Sequence, residues 1–465
     1  MDVKVKNKDV IWSYLSILIS MSSNIIVVPF IIYYLSGEML GLWYVFVSIG
    51  AIATLSDFGF APTFARNITY CWSGAKRIQK IGAEYFENSE PDFSLMNNIL
   101  NTCRRIYMFI SIGVLVLMLT IGSLYIYKIT KDIEGYAHYY AWIIYTLSVF
   151  LNLYYNYFDS FLRGVGNVFQ AQKNRVVSKT IQIVLTITFL YLGFGIVGVA
   201  LAYFIFGFIY RQLGKFYFYR YENIGEKLKK YYCPFDKKAS KQLLTTMWYN
   251  AWREGLIQIS IYLSEQASVI ICSFYLTLKQ TGSYSLSLQI ANAVATLSAT
   301  LYGVYQPYMQ AAYLNRDMDK MKHSMAAILF TLTLLMGLGI ILTLLVGLPI
   351  LKYIKPGVVV STPLLLGIFL NQFILRFRNC YSSYLSCTNR LIYMKSFVVS
   401  SFLCLILYII FMGPLHLGVW GIVLAQVVSQ CIYNFWYWPY FVHKELKLGF
   451  RDTIIFGYEY LLKKK

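Results

Sequence analysis

Long apolar runs alternate with short polar joints along almost the whole chain. A helix needs about 20 apolar residues to cross a bilayer, and the runs predict twelve such helices. They lie at roughly 10–35, 40–64, 104–127, 139–163, 175–193, 196–219, 248–276, 281–311, 324–350, 361–386, 392–412 and 416–441. Several exceed the minimum length, which allows tilt or ends that project into water. The polar positions inside the runs are few and patterned. In the fourth run Asn152, Asn156, Asp159 and Arg163 fall at i, i+4, i+7 and i+11. At about 100° per residue they occupy one sector of roughly 60°. An ionisable group facing lipid costs at least ~2.5–3.5 kcal/mol, so this stripe is expected to face protein or a watery cavity. The alternative is a buried Asp–Arg pair that only holds two helices together, with Arg163 snorkelling to the interface.

The tenth run repeats the spacing with Gln372, Arg376, Asn379 and Ser383. Arg378 lies about 160° around the helix from Arg376, so the two cannot point into one cavity; Arg376 is the expected cavity residue. A buried arginine bonded to carbonyls is the alternative. The seventh run carries Glu254, Gln258 and Glu265 at i, i+4 and i+11, with Arg253 beside the first. Glu265 sits near mid-membrane, where a carboxylate must be protonated or paired. It is a candidate for proton or cation coupling, or a structural partner for an arginine. Asp57 and Glu254 are the other acidic candidates for coupling. Gln289, Asn292 and Thr296 line the eighth run and Ser13, Ser16, Ser20 and Asn24 the first, although such residues often only pack helices together.

The two halves of the chain resemble each other. Gly195-Ile-Val-Gly198-Val-Ala-Leu201-Ala202 matches Gly418-Val-Trp-Gly421-Ile-Val-Leu424-Ala425, and Ile209-Tyr210 matches Ile432-Tyr433 at the same offset of 223. Ala53-Thr-Leu-Ser56 recurs as Ala295-Thr-Leu-Ser298. A charged inner segment containing Pro234 separates six runs from six. The expected organisation is a bundle over 1–220, a cytoplasmic linker over 221–246, a second bundle over 247–445 and a basic cytoplasmic tail over 446–465. Six spans per half give both halves the same orientation. The expectation is therefore an all-α membrane protein of two pseudo-symmetric six-helix bundles, with substrate between the halves and alternating access by rocking.

Composition agrees. Of 465 residues 58% are hydrophobic and 13% charged, with a mean hydropathy of +0.55, which excludes a soluble protein of this length. The net charge of +20 does not point to nucleic acid, because Lys and Arg gather in alternate loops. With both termini inside, inner segments hold 33 of the 41 Lys and Arg, outer loops five (Lys128, Lys131, Lys279, Lys352 and Lys355), and the spans Arg253, Arg376 and Arg378. That bias predicts that both termini lie on the cytoplasmic side. The 42 tyrosines suit interface belts and sugar rings. The eight cysteines include no CxxC pair and none in an outer loop, so no disulfide or zinc site is expected. No cleavable leader is expected either, since the first span is too long.

Every outer loop is short, so chemistry must take place within the helices. Asp317-Met-Asp319 has the DxD form used by sugar-nucleotide transferases, but no domain surrounds it. The motifs for ATP hydrolysis, zinc proteolysis and serine hydrolysis do not occur, and no cofactor is implied. Arg163, Arg253 and Arg376 converging between the halves would suit a phosphate, which guanidinium binds bidentately at any working pH. Amides and tyrosines nearby would suit sugar hydroxyls. A phosphate-bearing oligosaccharide cannot cross ~30 Å of hydrocarbon unaided.

Three features together resemble a family. They are Leu35-Ser-Gly-Glu-Met-Leu-Gly41-Leu-Trp43 leading to Asp57-Phe-Gly59 and a basic loop, the paired Gly-x-x-Gly-x-x-Leu-Ala, and the central basic loop. The chain looks like a Wzx-type bacterial polysaccharide flippase, in the MOP superfamily that also contains the multidrug MATE exporters. That resemblance implies a V-shaped twelve-helix fold, coupling to an ion gradient, and an undecaprenyl-pyrophosphate-linked O-antigen or capsule repeat unit as cargo. It also implies membrane lipids as partners, with a polysaccharide polymerase and chain-length regulator alongside. Cationic vestibule residues of the family have Arg163, Arg253 and Arg376 as counterparts here, by position only. A drug/cation antiporter of the same superfamily is the rival, and a glycosyltransferase or polymerase a more distant one.

Overall fold

Helices end where the polar joints predict, but several spans are built from two pieces. The computed structural model describes residues 6–35, 37–80, 90–131, 133–231, 237–265, 267–276, 278–350 and 361–462. Ser36, Pro234, Lys352 and Lys355, named above, lie outside them. Among the described residues, the first six stretches are Asn7–Tyr34, Gly37–Leu55 with Phe60–Trp72, Phe93–Leu117 running on to Ile129, Ala137–Tyr154 with Tyr157–Gly164, Val168–Tyr191, and Gly195–Arg220. The second six are Lys237–Glu265 with Ala267–Tyr275, Leu278–Ser298 with Thr300–Leu314, Met318–Leu342 running on through Gly347, Thr362–Cys387, Met394–Met412, and Val419–Cys431 with Asn434–Leu446. Among the described residues, five helices are by themselves long and apolar enough to cross a membrane.

The described residues form two compact units: the first holds those up to Gln79 and from Glu90 to Trp252, the second Lys80 and those from Arg253 on. In the first, the sixth stretch packs against the fourth and fifth, and the fifth against the first. Its core centres on Trp43, Phe46, Trp142 and Tyr145, with Phe46 and Trp142 ring centroids 5.0 Å apart. In the second unit the twelfth stretch packs against the tenth and eleventh in the same pattern. Its core holds Tyr284, Phe369, Cys404 and Tyr408.

The internal repeat has physical causes. Gly195 and Gly418 both take left-handed backbone, at φ 53° and 58°, to start the sixth and twelfth stretches. Three residues on, a Cβ at Gly198 would lie 2.8 Å from Phe189, and one at Gly421 would lie 3.1 Å from Phe411. The second glycine of each motif thus lets the helix approach its predecessor. The paired Ala-Thr-Leu-Ser segments end the first pieces of the second and eighth stretches. Single π-helical turns recur too, at Met118–Gly122 and Thr343–Gly347. Asp92 and Asp317 cap the starts of the third and ninth stretches, accepting from the backbone N–H of Leu95 at 2.9 Å and Lys320 at 3.0 Å.

Two features depart from a plain set of spans. A short helix, Ile224–Lys230, follows the sixth stretch. The segment expected as a basic tail is helical over Phe450–Leu462 and packs on the ninth stretch. There the Phe330 and Tyr458 rings lie 6.4 Å apart, and a Cβ at Gly457 would lie 2.5 Å from Phe330. The described cysteines are free thiols.

Candidate functional site

The polar side chains expected in a cavity fall into separate clusters, each inside one unit. In the first unit the break in the second stretch comes first. Phe58 and Gly59 turn the chain through left-handed backbone, at φ 44° and 72°. Asp57 then caps the next piece, its Oδ2 accepting from the Ala61 N–H at 3.1 Å. Its other oxygen accepts from the Tyr107 hydroxyl at 2.5 Å. Tyr107, on the third stretch, is fully buried. Both Asp57 oxygens are engaged, which suits a structural cap.

The second cluster centres on Asp159. Its Oδ2 accepts from Arg163 Nε at 2.9 Å and lies 3.7 Å from Arg175 Nη2. Its Oδ1 accepts from the Tyr210 hydroxyl at 2.8 Å. One carboxylate thus joins the fourth, fifth and sixth stretches and faces two guanidiniums. The Arg163 and Arg175 side chains keep 26% and 38% of their surface exposed. The four residues of the fourth-stretch stripe do not share a continuous helix, because it breaks at Tyr155 and Asn156. Asn152 lies beside Gly207, where a Cβ would come within 2.2 Å of its Oδ1.

In the second unit Arg376 is the centre. Its Nη2 donates to Asn292 Oδ1 at 2.8 Å and lies 3.5 Å from Glu265 Oε2. Glu265 Oε1 is buried with no hydrogen-bond partner among the described residues. Arg376 keeps 19% of its side-chain surface and Glu265 8%. Arg378, two residues on, is 1% exposed. It donates to Gln430 at 2.5 Å and stacks over Phe397 at 4.0 Å. It also takes Asn379, whose Oδ1 lies 3.3 Å from two of its nitrogens.

Other expected residues stand apart. Gln372 is fully buried, and its amide has no hydrogen-bond partner among the described residues. Glu254 is buried and accepts from Ser386 Oγ at 3.1 Å. Arg253 is half-buried, and Gln258 and Gln289 are exposed. The DxD motif is a helix start: Asp317 caps the ninth stretch and pairs with Lys320 Nζ at 2.8 Å. Its slight burial raises the carboxyl pKa, but the Lys320 contacts outweigh this and hold it below the usual range. No group of three or more His, Cys, Asp or Glu able to hold a metal occurs among the described residues.

Arg175 and Tyr210 belong to the Asp159 cluster but were not expected there. Arg175 reads in the sequence as one more inner-loop charge. Tyr210 reads only as a marker of the repeat. Asp159 itself gave the signal, since a carboxylate at that depth needs partners from neighbouring helices.

No family model and no curated protein matches the chain. Solved structures do match over nearly its whole length. A multidrug-resistance MATE-family transporter of the MOP superfamily, in an outward-facing conformation, superposes with a TM-score of 0.71 at 15% identity, over 95% of this chain and 96% of that one. A MATE protein in a bent conformation gives 0.69 at 16% identity, over 94% of both chains. A MOP-superfamily transporter from Pyrococcus furiosus, described as having a binding pocket of reverse polarity that suggests a different function, gives 0.68 at 15% identity over 95% and 96%. The chain has the all-helical fold of MATE and MOP transporters.

Proposed function

We propose that the chain is a flippase. It moves an undecaprenyl-pyrophosphate-linked oligosaccharide repeat unit from the cytoplasmic to the periplasmic leaflet by alternating access, for O-antigen or capsule synthesis. The fold supports a membrane transporter. The observation that carries the choice of cargo is the surplus of guanidinium over carboxylate around Asp159, which faces both Arg163 and Arg175; in the second unit Arg376 matches Glu265 one to one. A cation site needs the opposite balance. A diphosphate takes bidentate hydrogen bonds from guanidinium, and Arg376, partly exposed and shared with an amide, is placed to exchange Asn292 for a phosphate oxygen.

In this reading Asn152, Asn156, Asp159, Arg163, Arg253, Gln258, Gln289, Asn292, Gln372, Arg376 and Asn379 line the path or brace it. Asp57, Glu254 and Glu265 are the acids available for ion coupling. Glu265 is favoured, because one of its oxygens lacks a partner among the described residues. The two bundles, 1–220 and 247–445, move against each other about the 221–246 linker. The chain lies in a bacterial inner membrane with both termini cytoplasmic, working beside a polymerase and chain-length regulator.

The rival is a drug/cation antiporter, since multidrug transporters share the fold. The Pyrococcus furiosus neighbour's described reversal of pocket polarity favours a change of cargo on the same scaffold. Deleting the gene tests the reading: lipid-linked repeat units should accumulate unpolymerised at the inner leaflet. Normal surface polysaccharide in a strain without a redundant transporter, together with altered drug tolerance, would favour the antiporter.

A further inference from the structure

A polar cavity lies within the first unit. Its volume is about 660 Å³, and Asn101, Arg104, Lys215, Tyr219, Arg220 and Lys229 are among its lining residues. It forms where the start of the third stretch, the end of the sixth and the short Ile224–Lys230 helix meet. The corner between the last two is tight: Glu222 and Asn223 both take left-handed backbone, at φ 46° and 57°. That turn sends the short helix back against the third stretch. Asn97 fastens it there, its amide donating to the carbonyls of Leu228 at 2.8 Å and Tyr231 at 3.2 Å.

The charge is one-sided. Four cations line the cavity against one carboxylate, Glu226. None of the four pairs with Glu226, or with any other carboxylate, among the described residues. Arg104 is half-buried and held by the Tyr219 hydroxyl, to which its Nη2 donates at 2.7 Å. Arg104, the Tyr219 hydroxyl and the Asn101 amide thus line the same space as possible donors. Lys215, Arg220 and Lys229 are exposed around it. Like charges gathered in a shaped recess without a counter-ion favour an anion with several acceptor oxygens. Basic pockets between membrane helices take phosphate headgroups for this reason.

We propose that this cavity binds a phosphate ester or diphosphate, carried by an anionic lipid headgroup or by a soluble phosphate compound. It sits on the face where the chain's basic segments gather. It does not rest on the flippase reading, and would stand if the transported cargo were a cation.

The test uses the full chain in phosphatidylcholine nanodiscs. Phosphatidylglycerol is added as the lipid probe and inorganic pyrophosphate as the soluble one, and binding is read by native mass spectrometry and by the shift in thermal midpoint. Lys215→Gln with Lys229→Gln should weaken binding by about fivefold per lysine removed. Lys76→Gln with Arg77→Gln removes the same charge elsewhere on the basic face and should leave binding unchanged. Both pairs include exposed residues, and the unliganded midpoint checks folding. Saturable binding of phosphatidylglycerol alone assigns the site to a lipid, and of pyrophosphate alone to a soluble ligand. Equal loss in both variants would show unspecific attraction and overturn the proposal, as would no binding of either probe.

Discussion

The fourth and tenth stretches carry the same polar spacing, yet they use it differently. The fourth breaks at Tyr155 and Asn156, and its second piece runs from Tyr157 to Gly164. There Asp159 is saturated by two guanidiniums and a phenol. The tenth runs unbroken from Thr362 to Cys387. Its arginine reaches a glutamate at 3.5 Å, and one oxygen of that glutamate has no partner among the described residues. A saturated carboxylate has little to gain by changing partners, whereas an under-satisfied one can take a proton or exchange its cation. The first cluster therefore reads as a brace and the second as the part that changes state.

The largest effects should separate these roles. Asp159→Ala strands two guanidiniums and a tyrosine hydroxyl. Loss of a buried partner costs about 3–5 kcal/mol, and the residual exposure of the arginines lowers this to roughly 2–3 kcal/mol. A thermal melt in detergent should show a drop of several degrees. Glu265→Gln keeps the side chain's shape and an acceptor for Arg376 but removes its counter-charge, so across the longer 3.5 Å contact it should cost about 1–2 kcal/mol. Transport by that variant should lose its dependence on the coupling ion. Equal destabilisation by the two substitutions would erase the distinction.

The helix break gives the next test. A Cβ on Gly164 would lie 2.8 Å from the Ala65 carbonyl oxygen and 2.7 Å from Ile68. Backbone cannot yield as a flexible side chain does, so Gly164→Ala should cost about 1–3 kcal/mol. The matching position in the tenth stretch is Cys387, fully buried. Cys387→Ala removes one sulfur and should cost less, on the order of 1 kcal/mol. Comparing the two melts shows whether the broken helix is the more tightly fitted.

How much of this could be read from the chain depends on what apolarity records. The runs place the spans because lipid demands apolar surface whatever the backbone does. They do not record the break at Tyr155, where neither glycine nor proline marks it and the run continues. The Asp57-Phe-Gly break did carry a marker, since Gly59 has a left-handed φ of 72°. The stripe spacing assumes an unbroken 3.6-residue period, so it could not separate Asp159 from Asn152. On the unbroken tenth stretch the opposite directions of Arg376 and Arg378 were legible for the same reason. Which helix supplies a partner, as Arg175 and Tyr210 do for Asp159, depends on packing that no local pattern encodes. The helix at Phe450–Leu462 escaped because its apolar positions are too few for a span.

The smallest effects should be equal in the two halves. Asp92→Ala and Asp317→Ala each remove an N-cap and should cost about 1 kcal/mol apiece. Asp317 adds a pH dependence. Its folded carboxyl lies below the usual range, so its contribution is fully present above the unfolded pKa of about 3.9. It is lost as pH falls through the lowered folded value. Melting Asp317→Asn and the parent chain between neutral and acid pH should show the difference narrowing only at the acid end.

The most direct test is translocation in reconstituted vesicles. A fluorescent undecaprenyl-pyrophosphate-linked oligosaccharide is placed in one leaflet, and its appearance in the other is followed with a membrane-impermeant quencher. The parent chain should move it. Arg376→Ala and Arg376→Lys should both slow it by tenfold or more, about 1.4 kcal/mol of lost transition-state stabilisation, at unchanged protein content. Vesicles no faster than protein-free ones, or full activity in both Arg376 variants, would contradict the account.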